Sequence, residues 1–166
     1  MAFNRTVRVE ESVPAFKQAG VQGFTGATRQ TIQWARTGNI TADDLDNVVY
    51  VAPIDGVRVL AVNISLENTG TDPTNPLTMA VDVLKNGSYS VLSVQPVLSK
   101  AAADKANTVS AGTGITVGVV SATYRDLSAG DRLELDADIT RNAGTVTEEM
   151  ADLLVQVELS IPPMNT

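Results

Sequence analysis

A chain of 166 residues that is 43 % hydrophobic but only 4 % aromatic suits one domain with a core of Val, Leu, Ile and Ala. It has no cysteine and no histidine, which excludes disulfides, thiol nucleophiles, imidazole acid–base chemistry and nearly all metal sites built from thiolate or imidazole. Nineteen acidic against twelve basic residues give a net charge of −7, which disfavours general nucleic-acid binding because the phosphate backbone repels such a chain.

The opening segment, MAFNRTVRVEESVPAF, carries charges where a secretion signal needs an apolar run. No stretch approaches the ~18 apolar residues of a membrane span, so the expectation is a soluble protein made in a cytosol, with no membrane partner. Residues 1–40 hold Arg5, Arg8, Lys17, Arg29 and Arg36 against Glu10 and Glu11, a local +3, and the rest of the chain sums to −10. Residues 1–46 therefore read as an arm and 47–166 as a body. All three phenylalanines, Phe3, Phe16 and Phe24, lie in the arm. Leaving each in water forgoes about 1.5–3 kcal/mol of burial. Two readings follow: the rings pack onto their own subunit, or they anchor the arm in pockets of a neighbour. Trp34, the single Trp, covers one end of the core or belongs to the same set of interface anchors.

From about Asn47 onward, apolar and polar residues alternate between turn signals, the rhythm of antiparallel strands. Residues 41–46 suggest one helical turn capped by Thr41, and 48–52 a strand. In VRVLAVNISLEN the row Leu60, Val62, Ile64 and Leu66 shares one face, with Arg58 extending it. Segments 77–84 and 88–98 flank Asn86-Gly87, a pair suited to a two-residue type I′ turn. That loop would set Leu84 opposite Tyr89 and Val81 opposite Leu92. Residues 99–106 suggest a short helix capped by Ser99, followed by a strand over 115–124. RLELDADIT places Leu133, Leu135, Ala137 and Ile139 on one face. DLLVQVELSI does the same for Leu153, Val155, Val157, Leu159 and Ile161, and Pro162-Pro163 ends that strand.

No motif in this series points to chemistry. Gly112, Gly114 and Gly118 have the wrong spacing for a dinucleotide loop and precede a strand instead of a helix. Glu134, Asp136 and Asp138 follow from alternation on a wet strand face; a cation site is the minor reading. Asp43, Asp44, Asp46 and Asn47 lack the Gly and terminal Glu of a calcium loop. Serine without histidine excludes a Ser-His-Asp triad, and Lys85, Lys100 and Lys105 sit in turn or loop contexts. The chain is therefore expected not to be an enzyme and to need no cofactor or metal.

The succession LTMAVDVLKNGSYSVLSVQPVLS, ITVGVVSATYRDLSAGDRLELDADIT and DLLVQVELSIP resembles the jelly-roll modules of tailed-bacteriophage virion proteins, those of head decoration (cement) proteins and of fibre knobs. The shared features are a strand ending in Lys-Asn-Gly, a following strand reading SVLS with Pro and Leu after it, a turn-into-strand reading SAGDRLEL, and an apolar last strand. The likeness covers about residues 47–161. It implies an all-β fold, an antiparallel jelly-roll β-sandwich of about eight strands with an extended N-terminal arm.

It also implies a virion structural protein on the capsid surface, assembled in the host cytoplasm, often a homotrimer, with the major capsid protein and copies of itself as partners. Fibre knobs follow a fibrous stalk, and residues 1–46 show neither heptads nor a collagen-like repeat. The arm thus favours a decoration protein that stabilises the head by bridging capsid subunits. A receptor- or carbohydrate-binding module of a fibre or spike is the alternative.

Overall fold

The computed structural model describes residues 27–163 and, as backbone, residues 4–8. Thirteen strands and no helix occur among them. In chain order these are β1 (Asn4–Arg8), β2 (Thr28–Asn39), β3 (Asp44–Val51), β4 (Val57–Asn68), β5 (Thr78–Lys85), β6 (Tyr89–Ser90) and β7 (Leu92–Val94). The series continues with β8 (Val97–Ser99), β9 (Ile115–Thr116), β10 (Val119–Val120), β11 (Asp126–Leu127), β12 (Arg132–Thr140) and β13 (Ala151–Ile161). One sheet runs β1-β2-β13-β4-β11 and the other β3-β12-β5-β8-β9, while β6 pairs with β5 and β7 with β10.

Every pairing is antiparallel. The long-range pairs are nested: β2 with β13, β3 with β12, β4 with β11, β5 with β8. A ribbon folded back on itself in this way and then rolled so that alternate strands fall in opposite sheets is a jelly roll. The fold is the all-β, antiparallel jelly-roll sandwich expected, its eight positions drawn partly from short strand pieces.

The two sheets close over one aliphatic core. Ile32 and Trp34 of β2, Val62, Ile64 and Leu66 of β4, and Leu153, Val155, Val157 and Leu159 of β13 face Met79, Val81 and Val83 of β5 and Leu133, Leu135 and Ala137 of β12. All are buried. Alternation predicts the inward rows of β12 and β13 because each strand keeps every second residue toward the core.

Five expectations are corrected by tertiary context. The boundary at residue 47 lies too late, because Thr28–Asn39 pairs along nearly the whole of β13 and is a central sandwich strand. Its inward row is Ile32, Trp34 and Arg36, too short and too polar at one end to stand out. In β4 the ladder shifts register between Glu158 and Leu159, so that Val59 and Ala61 face successive residues of β13. Leu60 is the extra residue of a bulge; Val57 and Val59 turn inward, and Arg58 points out to Asp126 at 2.5 Å.

The two suggested helices are also absent. Residues 41–43 are irregular, with the Ala42 carbonyl taken by the Arg36 guanidinium at 2.7 Å, and β3 starts at Asp44. In 99–106 the backbone donors go to neighbouring chain instead of a helical ladder: Lys100 N–H to Leu77 O and Lys105 N–H to Glu67 O. Ala102 and Ala106 are thereby pressed into the core.

The Asn86-Gly87 turn exists, with φ of 54° and 67°, but its register is one residue off the expected one: Lys85 faces Tyr89 and Leu84 faces Ser90. The reason lies across the sheet. Asn86 exchanges hydrogen bonds with Arg132, through N–H to Arg132 O at 2.9 Å and through its Oδ1 from Arg132 N–H at 2.8 Å. The turn is thus clipped to β12, and local turn preference alone does not set its loop length.

Candidate interaction surfaces

The acidic residues singled out in the sequence serve the sheet. Asp43 Oδ1 accepts from Ile139 N–H and Asp136 Oδ1 from Asp46 N–H, both at 2.7 Å, tying β3 and the segment before it to β12. Glu134 is not wet: it is 7 % exposed and lies 3.2 Å from the Arg132 guanidinium, beneath Gly87. Burial pushes the Asp138 carboxyl above its ordinary value, and repulsion from Asp43, Asp136 and Asp82 adds to this. Asp82 and Asp136 stand directly opposite each other, an unfavourable like-charge pair. Among the described residues no three His, Cys, Asp or Glu side chains form a group able to hold a metal ion. The Gly112–Gly118 segment is a loop that contains the two-residue strand β9, paired with β8.

Two other carboxylates organise loops. Asp72 is buried; its Oδ1 accepts from the N–H groups of Thr74 and Asn75 at 2.9 and 2.8 Å, and its Oδ2 from the Thr145 hydroxyl at 2.7 Å. Lys100 Nζ donates to the backbone carbonyls of Asp72 and Asn75. Burial raises the Asp72 pKa, but the hydrogen bonds from Asn75, Thr145 and Thr74, with the Lys100 charge, outweigh it and hold the group at about 2. Asp131 is held at about 2 by Lys85 first, whose Nζ lies 2.7 Å away, then by Asn86 and Ser128 N–H.

Both groups thus have folded pKa values below the unfolded one, so their stabilisation is complete above about pH 4 and is lost as pH falls from there through 2. Asp138 acts in the opposite sense, since protonation relieves its repulsion. The melting temperature is expected to fall steeply only below pH 4. Asp72→Asn keeps the acceptor for Thr74 and Asn75, and is expected to make that fall shallower in melts recorded by circular dichroism from pH 7 to 2.

Trp34 is 8 % exposed and belongs to its own subunit's core. Phe3, Phe16 and Phe24 lie outside the described residues. The chain ahead of β2 does contribute a strand, since β1 pairs with β2 from Asn4 opposite Ala35 to Arg8 opposite Thr31, at the outer edge of the sheet.

A shallow groove of about 500 Å³ is lined by Thr37, Ser65, Leu66, Glu67, Lys105, Asp152 and Leu154. Its Lys105–Glu67 pair at 3.3 Å is solvent-exposed and adds little.

Large exposed apolar side chains are the more distinctive feature. Among the described residues they fall into two sets. Leu45, Val48 and Val51 lie on β3; Tyr89, Val94, Val109, Val119 and Tyr124 lie on β6, β7, β10 and adjoining loops. Tyr89 and Tyr124 stack with ring centroids 5.0 Å apart and planes inclined by 22°.

No protein-family model matches the chain, and no curated protein matches it. Solved structures similar to it include a chain of the cyanophage Pam1 capsid asymmetric unit, at 20 % identity and a TM-score of 0.45, with 92 % of this chain and 99 % of that one covered. Turnip yellow mosaic virus is similar at 15 % identity and 0.42, covering 99 % and 93 %. Desmodium yellow mottle tymovirus follows at 16 % and 0.36, covering 94 % and 98 %. At these scores the jelly-roll assignment rests on the strand pairing of the chain itself.

Proposed function

We propose that this chain is a virion structural protein and, more narrowly, a decoration (cement) protein on the outer surface of a tailed-phage head. In this reading the jelly roll with β1 at its edge is the body, and the residues between Arg8 and Thr28 are the arm that reaches the major capsid protein or a neighbouring copy. The carrying observation is that β1 joins the body at the outer edge of β2. The leading segment is therefore appended to a sheet edge through a main-chain ladder, and such an edge accepts extended segments whatever their source. The intervening residues carry Phe16 and Phe24, ring systems suited to pockets on a partner. The sequence resemblance to decoration proteins supports the same reading.

The physical job follows from repetition. A capsid presents the same contact many times, and a small body whose arm bridges adjacent subunits adds buried area at each copy. Linked weak contacts then act together.

The test is a truncation that respects the observed strand boundary. Deleting residues 2–26 leaves β2 whole and is expected to give a folded sandwich that no longer binds undecorated heads in co-sedimentation. Binding at the level of the full chain would defeat the proposal. One observation favours the second reading, a receptor- or carbohydrate-binding module: the exposed Tyr89–Tyr124 stack, since sugar rings pack on aromatic faces. Saturable binding on a glycan array, abolished by Tyr89→Ala, would place that reading first.

A further inference from the structure

We propose that copies of this chain associate head to tail, the β3 edge of one packing against the β7–β10 edge of the next. The inference rests on the structural role proposed above and concerns how the body itself assembles. β3 is the terminal strand of its sheet, whereas β8 and β9 end that sheet on the far side and β11 ends the other sheet there. The β7–β10 ribbon lies on that far side, tied to β5 where Val91 N–H donates to Val83 O and Val81 N–H to Pro96 O, and set against β4 where Gly118 stands beside Val62 O. The two apolar sets thus occupy opposite lateral edges of one sandwich. Val48 is 41 % exposed on the first edge and Val119 48 % on the second.

Charge decides which surface meets which. Asp43 and Asp46, with Asp44 between them paired to Arg36 at 3.9 Å, accompany Leu45, Val48 and Val51 at the β3 edge. Two such edges placed together would oppose carboxylates, which costs stability. The far edge is built from residues 86–99 and 106–124, runs with no charged side chain in a chain that is 19 % charged overall. The carboxylate that flanks these runs, Asp126 of β11, is paired with Arg58 at 2.5 Å, so this edge can cover the aliphatic row of β3 without bringing an unpaired carboxylate to it. A face depleted in charge that carries the exposed Tyr89 and Tyr124 has the make-up of an interface core. A contact between two different patches is heterologous. It closes into a ring when the rotation between copies divides the circle, a trimer being the smallest such ring.

The mass in solution, by light scattering at tens of micromolar chain, tests this. The full chain is expected as a closed oligomer, and Val48→Asp and Val119→Asp are each expected to fall to the mass of one chain. Both side chains are exposed, so circular dichroism should show folded variants; Leu45→Glu and Val94→Glu replace them if it does not. Mixed in equal amounts, the two Asp variants retain one intact contact between them and are expected to give dimers and nothing larger.

A wild-type chain that is monomeric, a variant that keeps the wild-type mass, or a mixture that stays monomeric overturns the proposal. Monomers that still occupy phage heads would sink this contact and leave the decoration role standing. Rings that ignore heads would do the reverse.

Discussion

Trp34→Ala is expected to lower the folding free energy by about 3–5 kcal/mol, the usual result of emptying a buried Trp site. Trp34 sits on β2 opposite Val155 of β13 and is all but enclosed in the shared core. Its surroundings are aliphatic side chains from central strands. Such neighbours are held by ladders on both sides and cannot collapse far into the vacated space. A domain of this kind has about 5–15 kcal/mol in total, so the variant should unfold at a much lower urea midpoint. Trp34→Phe should recover a large part of the loss. The competing role, an anchor on a partner, makes the opposite forecast: unchanged stability with loss of capsid binding or of oligomer mass. Because Trp34 is the sole Trp, a blue-shifted emission from the native chain that moves to the red on unfolding gives an independent readout of its burial.

Gly114→Ala should cost about 2–4 kcal/mol, from a left-handed backbone and an unavoidable clash. Gly114 has φ +68°, and a Cβ there would lie 2.4 Å from Ala102 N and 2.8 Å from Ala101 C. Those are backbone atoms, fixed in turn because Ser99 N–H donates to Gly114 O and Ala102 N–H to Ser99 O, each at 2.9 Å. Relief therefore requires the loop to lift away from β8, withdrawing the buried Ala102. Gly112→Ala is the control, since its Cβ would meet only Ile115 side-chain atoms, the nearest at 3.4 Å. Thermal melts of the two variants should separate clearly, with Gly112→Ala close to the parent. Equal midpoints would show that the loop is not held as described.

The loop pinned at Gly114 carries part of the uncharged edge, so a strong loss there is also expected to weaken head-to-tail contact. Asp72 and Asp131 do comparable work in other loops by fixing them through hydrogen-bonded carboxylates. The sandwich thus relies on polar pins at its turns and on aliphatic burial between its sheets.

Residue order alone determined the β class, the inward rows of β12 and β13, the turn at Asn86-Gly87 and the stop at Pro162, because each is a local matter of alternation or backbone preference. It also determined the lack of thiol and imidazole chemistry. Only the tertiary structure decided that Thr28–Asn39 is a central strand, that Leu60 is a bulge, that 99–106 is a pinned loop and that Glu134 lies under a turn, since each depends on partners far away in the chain. The paired apolar edges were hidden for the same reason. A Val facing the core and a Val facing a neighbour look alike in an alternating strand, and it is the nested pairing of the jelly roll that makes β3 an edge and turns Val48 and Val119 outward.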